Sequence, residues 1–223
     1  MTAGDQPYPT YSRAERIADG IIHAVGVMLA LSGVIVLIVF AAFWARDGGA
    51  RGGAGHVAAL AVYGGALLAS LVASACYHMT PWERVRPALR RIDHAAIYLK
   101  IAGTYTPLVA LIGSAFAWVV LGVVWALAIT GMVLKLAFWR DPGRLATAFY
   151  LVLGWIGLLL IWPMVQTLPV AVLILAACGG VLYSAGVVFF TWDSLRYSNA
   201  IWHGFVLVAS GCFFAAITLG TFA

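Results

Sequence analysis

Charge is scarce in this sequence. Charged residues make up 9% of the 223 residues, whereas a typical soluble domain contains about 25%. Hydrophobic residues reach 64%, above the roughly 45–50% of such a domain. This composition excludes an ordinary soluble domain and predicts a polytopic membrane protein. Apolar runs recur from near the first residue to the last, so no stretch remains for a separate soluble domain.

Cysteine is scarce as well. The chain has three cysteines, and each lies within an apolar run, where a thiol usually behaves as a small hydrophobic group. This usage predicts no disulfide framework. The three residues are Cys76, Cys178 and Cys212.

Seven apolar segments are long enough to cross a bilayer, which requires roughly 20 residues per helix. Turn and helix-stop residues separate them, and the weakest break is Gly113-Ser114. The first segment is too long for a cleavable signal, so we interpret it as a retained helix. We therefore predict an all-α, seven-helix transmembrane domain over residues 17–223, preceded by a polar tail over residues 1–16. The segments cover approximately residues 17–44, 55–79, 89–112, 115–139, 146–165, 169–190 and 200–221.

The basic residues are distributed unevenly between the two faces of this predicted bundle. One face carries ten of them and the other carries two. Because cytoplasmic loops are enriched in lysine and arginine, we expect a cytoplasmic N-terminus and, after seven crossings, an external C-terminus. The isoelectric point of about 9.3 follows from this topology, so we expect membrane lipids as partners and no nucleic acid. The ten residues are Arg13, Arg16, Arg84, Arg86, Arg90, Arg91, Lys135, Arg140, Arg144 and Arg196, and the two are Arg46 and Arg51.

Three polar pairs interrupt the apolar segments. In each pair a histidine follows another polar residue by four positions, so both side chains lie on one face of a helix. A misplaced polar group in a membrane is unfavourable by about a few kcal/mol, so such pairs indicate a shared site. The predicted topology places the three histidines, together with Asp93 of the third segment, in the cytoplasmic leaflet. The pairs are Asp19/His23, Ser74/His78 and Asn199/His203.

These polar groups have the chemistry of a metal site. Imidazoles, a carboxylate and hydroxyl or amide groups at one depth suit a zinc ion with a bound water. A cytoplasm-facing vestibule at neutral pH would supply the neutral imidazoles and ionised carboxylate that zinc requires. The alternative is that each histidine extends to the headgroup layer or bridges helices by hydrogen bonds. The coincidence of depth among several helices favours the shared site.

Five sequence blocks surround these residues: ERIADGIIH at 15–23, SACYH at 74–78, IDHAAIY at 92–98, IAGTYTP at 101–107 and NAIWH at 199–203. They resemble, in order and over nearly the whole chain, the signature blocks of the hemolysin III family. That family is the bacterial branch of the progestin and adipoQ receptor (PAQR) proteins. The resemblance implies seven helices with a cytoplasmic N-terminus, in a multi-pass protein of the bacterial inner membrane.

The resemblance also implies a zinc ion near the cytoplasmic leaflet. Its ligands would be a histidine of the second helix and two of an HxxxH motif on the seventh, with an aspartate of the third helix nearby. In this chain the ligands are then His78 and His203, with Asp93 reaching the metal directly or through water. Asn199 stands where the family has the first histidine of the motif, and its amide oxygen is a poorer zinc ligand than imidazole. Either Asp93 enters the coordination sphere, or His23 substitutes, or the site binds metal weakly or not at all.

The leading functional hypothesis is hydrolysis of a lipid amide or ester. Zinc would polarise the carbonyl and activate a water molecule. Asp93 would accept a proton from that water, while Ser74 orients the substrate or stabilises the oxyanion. One alternative is a pore-forming cytolysin, as the family name suggests, although no helix carries a polar stripe along its full length. Another is a membrane sensor or regulator in which the metal is structural.

Other polar residues have less specific interpretations. Lys100 follows Asp93 by two helical turns. Its three alternative roles are to neutralise a carboxylate, to bind an anionic lipid headgroup or to extend its ammonium group to the membrane interface. His56, at the opposite end of the second segment, is expected to be an interfacial residue. A further stripe either orients metal ligands or caps the first helix. It consists of Glu15, Asp19 and His23.

Overall fold

The protein is an all-α bundle. A computed structural model describes residues 11–46, 53–137, 144–192 and 194–223, and these ranges contain no strand. Seven helical spans in them are long and apolar enough to cross a membrane, which confirms the predicted bundle. The helices are α1 (Arg13–Arg46), α2 (Ala54–Met79), α3 (Arg86–Ile112), α4 (Ala115–Ala137), α5 (Arg144–Trp155), α6 (Ile161–Thr167), α7 (Val170–Phe190) and α8 (Ser198–Phe222), and a 3₁₀ helix (Ile156–Leu160) joins α5 and α6 into one span.

Helix α1 begins four residues before the apolar segment that the sequence predicts. The Ser12 hydroxyl accepts a hydrogen bond from the Glu15 N–H at 3.3 Å, and the Glu15 carboxylate accepts one from the Ser12 N–H at 2.8 Å. This reciprocal capping box satisfies N–H groups that have no partner within the helix. The helix therefore starts at Arg13, and most of the predicted polar tail lies outside the described residues.

Proline and glycine end several helices. Thr80 and Leu168 have extended backbones at the ends of α2 and α6, because the proline that follows each of them disfavours the helical conformation. Gly113 ends α3 in the left-handed conformation, with φ 69°, and its N–H donates to the Val109 carbonyl. Glycine adopts this conformation without steric cost, so the weakest predicted break is a helix end. The predicted breaks at 47–49 and 141–143 lie outside the described residues.

The fifth span is not the continuous helix that the sequence predicts for residues 146–165. It changes to the 3₁₀ helix over Ile156–Leu160 and returns to α-helix two residues before Pro163. A proline has no N–H to donate, and its ring clashes with the carbonyl four residues earlier, so the regular hydrogen-bond ladder fails here. Tyr105 of α3 compensates, because its hydroxyl lies 3.2 Å from the Leu153 carbonyl and 2.5 Å from the Gly154 carbonyl.

Helix α3 lies at the centre of the bundle. It packs against α2 and α4 and also contacts α5, α6 and α8. Helix α1 packs against α2 and α8, and α7 packs against α8. The first and last helices are therefore neighbours, while the α5–α6 span packs only loosely. A cavity remains between that span and the helices α2, α3, α7 and α8.

The outer surface of the bundle is apolar and the interior holds polar groups. Large hydrophobic side chains such as Phe40, Val119 and Trp162 are exposed, as expected of helices that face lipid. Buried polar groups are unfavourable in a membrane unless they are paired or face a cavity. Ten of the described residues are polar or charged and buried: Asp19, His23, His56, Ser70, Asp93, Lys100, Lys135, His203, Ser210 and Thr221.

Candidate metal centre

Three histidine rings from three helices meet at one end of the bundle. His23 lies on α1, His78 in the last turn of α2 and His203 near the start of α8. Because α1 packs against both α2 and α8, the rings converge. The ring centroids are 4.4 Å apart for His23 and His203, 4.6 Å for His78 and His203, and 5.6 Å for His23 and His78.

Asp19 supplies the carboxylate of this cluster. It is only 3% exposed and lies one helical turn before His23. Its Oδ1 is 2.6 Å from His203 Nδ1, and its Oδ2 is 3.6 Å from His23 Nε2. Ligand atoms of Asp19, His23 and His203 all lie within 4.8 Å of one another, so these residues form a group able to hold a metal ion.

His203 has a polar neighbour at each ring nitrogen. Its Nδ1 faces the Asp19 carboxylate, which only accepts hydrogen bonds, so this nitrogen carries a proton. In the neutral ring the lone pair then lies on Nε2, which is 3.4 Å from Ser74 Oγ. A carboxylate on the far nitrogen is the arrangement that orients histidine ligands in metal sites.

Asn199 joins the cluster through its amide nitrogen. This atom, Nδ2, donates to Asp19 Oδ2 at 2.8 Å and lies 3.2 Å from His78 Nδ1. An amide nitrogen has two hydrogens and accepts none. Asn199 thus presents donors, and not its oxygen, to these two residues.

Ser74 and Asp93 extend the cluster toward α3. Asp93 is buried near the start of that helix, and its carboxylate lies beside the Ser74 hydroxyl. The same hydroxyl lies 3.4 Å from His203 Nε2. Ser74 therefore stands between a carboxylate and an imidazole, where its oxygen can exchange hydrogen bonds with either.

Glu15 fixes the start of α8 relative to α1. Tyr197 has φ 62°, a left-handed conformation that few non-glycine residues adopt. Its N–H donates to the Glu15 carboxylate at 3.0 Å. Because Tyr197 directly precedes α8, this hydrogen bond also positions Asn199 and His203 over the first helix.

The structure brings the predicted site residues to one place. Asp19 and His23, which the sequence assigns to ligand orientation or helix capping, with His23 also as a substitute metal ligand, lie at the centre of that place. The signal for both was present in the sequence as the first i, i+4 polar pair. The predicted residues are His78, His203 and Asn199, which contact one another or Asp19, Ser74, which lies beside His203, and Asp93, which lies beside Ser74.

His56 differs from its predicted interfacial role. It is buried, and its Nε2 lies 3.0 Å from the hydroxyl oxygen of Thr221, which is also buried. Thr221 is in the last turn of α8, so the pair links the start of α2 to the end of α8. This histidine lies at the opposite end of the bundle from the cluster and takes no part in it.

A cavity of about 2010 Å³ opens beside the histidines. It exceeds the roughly 300–1,000 Å³ of ordinary small-molecule pockets. Its wall is polar near the cluster and apolar toward α6 and α7, which suits a molecule with one polar and one apolar end. The polar part includes His23, Ser74, His78, Asp93 and His203, and the apolar part includes Leu160, Met164, Leu173 and Phe213.

Known proteins resemble this chain over most of its length. The family model described as Haemolysin-III related matches residues 12–214. The chain is 35% identical to the Hemolysin-3 homolog of Bacillus subtilis (strain 168) over 204 residues, which are 91% of this chain and 92% of that protein. It is 35% identical to Hemolysin-3 of Bacillus cereus over 204 residues, or 91% and 90% of the two chains. The human Monocyte to macrophage differentiation factor is 29% identical over 167 residues, or 70% and 67%.

Proposed function

The chain belongs to the haemolysin-III-related family, and we propose that it is a zinc-dependent hydrolase that cleaves an amide or ester bond of a membrane lipid. One observation carries the proposal. Three imidazoles and the Asp93 carboxylate line the polar part of a cavity whose wall toward α6 and α7 is mostly apolar. A lipid in this cavity has its acyl chain against the apolar wall and its polar linkage beside the histidines.

The residues present fit zinc. Two imidazoles on one tetrahedral zinc ion have ring centroids about 5 Å apart, because each ligating nitrogen lies about 2.0–2.1 Å from the metal. The three centroid distances, 4.4, 4.6 and 5.6 Å, bracket this value. The buried Nε2 of His23 has no hydrogen-bond partner among the described residues, as expected of a ring nitrogen reserved for a metal.

We assign the three histidines, His23, His78 and His203, as the zinc ligands. Asp19 holds His203 through Nδ1 and so directs its Nε2 toward the metal. In this assignment His23 substitutes for the imidazole that Asn199 lacks. The group whose ligand atoms already lie within 4.8 Å of one another has Asp19 in place of His78, and X-ray absorption spectroscopy separates this mixed nitrogen and oxygen coordination from coordination by three histidines.

Each residue of the site then has a chemical task. When bound, zinc polarises the carbonyl of the scissile bond and activates a water molecule. The Asp93 carboxylate accepts a proton from that water and delivers it to the leaving nitrogen or oxygen. Ser74 donates its hydroxyl hydrogen to the carbonyl oxygen as negative charge develops there. The apolar wall holds the acyl chain and keeps bulk water away.

Metal content and turnover together test this proposal. The purified full chain in detergent should contain stoichiometric zinc by mass spectrometry and release fatty acid from a lipid amide or ester. His203→Ala should lose zinc and turnover, whereas Asp93→Asn should keep zinc and lose turnover. His56→Ala is the matched control, since His56 lies about 33 Å from His78 along α2. Turnover that survives chelation of zinc contradicts the proposal.

A membrane sensor or regulator with a structural metal is the second candidate. The observation that favours it is the Asn199 amide, which hydrogen-bonds to Asp19 and lies within reach of His78. These contacts give Asp19 and His78 a hydrogen-bond partner whose role is structural and needs no catalysis. In that case zinc raises the unfolding temperature, because a ligand of the folded state stabilises it, and no lipid is cleaved.

Membrane lysis is a third candidate, because the name of the Bacillus cereus relative is Hemolysin-3. The test is release of a trapped dye from liposomes by the purified chain. Release that is independent of His203 and Asp93 would assign lysis to a different part of the molecule from the histidine cluster.

A further inference from the structure

Lys100 is a buried lysine that the proposed reaction does not use. It lies on the central helix α3, is 7% exposed and lines the cavity. Its Nζ lies 4.7 Å from the centre of the Tyr183 ring on α7. The ion pairs formed by the described residues do not include it.

An ammonium group within a membrane-spanning bundle requires compensation. A contact with an aromatic face offsets only part of the loss of hydration. Ionisable residues in such positions usually face a cavity and mark the path of a charged substrate or ligand. Lys100 faces the cavity, and beyond the Tyr183 ring the charge that acts on it is the Asp93 carboxylate two helical turns away.

The balance of buried charge indicates the sign of that ligand. Asp19, Asp93 and Lys100 are the charged groups buried around the cluster and the cavity. The two carboxylates lie at or beside the histidine cluster, so Lys100 provides the positive charge among the buried groups on the rest of the cavity wall. A ligand with one negative charge would neutralise it in surroundings where charge interactions are strong.

The position of Lys100 separates this charge from the metal centre. Lys100 follows Asp93 by seven positions, or two helical turns, so the two side chains share a helix face about 10 Å apart along the axis. Tyr183 is held in place, because its hydroxyl lies 2.7 Å from Ser210 Oγ on α8. The ring therefore remains fixed beside the ammonium group.

We infer that Lys100 and the Tyr183 ring form an anion subsite, which takes the carboxylate or phosphate group of an acyl-chain amphiphile in the cavity. This inference rests on the proposed function only in assigning the cavity to lipids. The subsite itself needs no metal. It limits the substrates to acidic lipids in which the anionic group lies about 10 Å from the scissile bond.

Binding of matched probes to the full chain tests the subsite. In detergent and with a chelator, affinities are measured for oleate, oleyl phosphate and the uncharged methyl oleate. Lys100→Met should weaken binding of the two anions at least tenfold and change binding of methyl oleate by less than about twofold. Lys100→Arg should retain the preference for anions. The anion whose binding falls further identifies the headgroup.

Lys135→Met is the matched control, because Lys135 is also a buried lysine but lies on α4 and does not line the cavity. It should leave the preference for anions unchanged. If Lys100→Met does not fold, Lys100→Gln and Tyr183→Leu provide the same comparison.

Three results would overturn the subsite. One is an equal effect of Lys100→Met on oleate and methyl oleate, and another is an equal effect of Lys135→Met. The third is competition by acetate or inorganic phosphate at the concentrations where oleate binds, since that shows a site for small anions and not for amphiphiles. These measurements need neither zinc nor turnover, so the two proposals fail in different ways. If only the hydrolase proposal is wrong, the chain shows no turnover or no bound zinc but still prefers anions.

Discussion

Asp19 is the residue through which the first and last helices meet. It contacts His203 and Asn199 of α8 and lies beside His23 of its own helix. Hydrogen bonds to an ionised carboxylate are stronger than neutral ones, and more so away from water. Asp19 thus serves two purposes, since it stabilises the contact between α1 and α8 and fixes the tautomer of His203.

Asn199 stands where the resemblance to the family implies a histidine, and it gives the most direct prediction at this scale. Asn199→His should raise zinc affinity at least tenfold, which corresponds to about 1.4 kcal/mol. The new imidazole would lie four residues before His203, close to His78 Nδ1. The measurement is competition with a zinc chelator, and thermal unfolding with and without zinc should show a parallel gain in stability.

Asn199→Leu is the control for this substitution, because it removes the amide without adding a ligand. An affinity for zinc that is unchanged in Asn199→His would contradict this prediction, because it would mean that a ring at position 199 does not reach the metal beside the three assigned histidines.

The fifth span shows how one helix depends on its neighbour. Pro163 interrupts the hydrogen-bond ladder, and the carbonyls of Leu153 and Gly154 are satisfied by Tyr105 of α3. A buried carbonyl without a partner is expensive in a membrane protein, where no water replaces the lost hydrogen bond. Tyr105 supplies a donor from α3 at the last turn of α5, where the regular helix ends.

Tyr105→Phe should destabilise the protein by about 1–3 kcal/mol, because it removes the donor and leaves the carbonyls of the fifth span unsatisfied. Thermal unfolding in detergent measures the effect. Tyr63→Phe is the matched control, since the buried Tyr63 hydroxyl has no hydrogen-bond partner among the described residues. That substitution should be neutral or stabilising. Equal losses for the two variants would contradict the role of Tyr105.

The packing of α2 on α3 depends on a glycine. A Cβ added at Gly103 would lie 2.5 Å from the Ala66 Cβ, so Gly103→Ala must separate the two helices. We expect a loss of about 1–3 kcal/mol, typical of overpacking, in the same unfolding assay. Gly122→Ala on α4 is the control, because nothing lies within 4 Å of an added Cβ there. It should gain up to about 1 kcal/mol from helix propensity, and a loss of similar size in both variants would exclude close packing as the cause.

At the scale of the whole molecule, the orientation in the membrane remains a prediction. The ten basic residues on one face and two on the other predict a cytoplasmic N-terminus and an external C-terminus. Reporter fusions at the two ends of the full chain measure this directly. Both ends on the same side would contradict the odd number of spans, and the reverse orientation would move the histidine cluster and the cavity mouth to the external leaflet.

The sequence by itself determined the class of the molecule, the number of its spans, its family and most residues of the candidate site. These features depend on local patterns: apolar runs of bilayer length, polar residues spaced four apart on one helix face, and short sequence blocks. The same patterns located the break at Gly113. They also indicated one leaflet for the polar pairs, because segment order and loop charge set depth without reference to packing.

Only the tertiary structure decided which of these residues meet. Asp19 and His203 are 184 residues apart, and their contact exists because α1 packs against α8, which no local pattern specifies. The same holds for the His56–Thr221 link between α2 and α8, for Tyr105 at the interrupted fifth span and for Lys100 beneath Tyr183 at the cavity wall. Helix periodicity predicts the face on which a side chain lies, but the partner of that face is set by packing between helices distant in sequence.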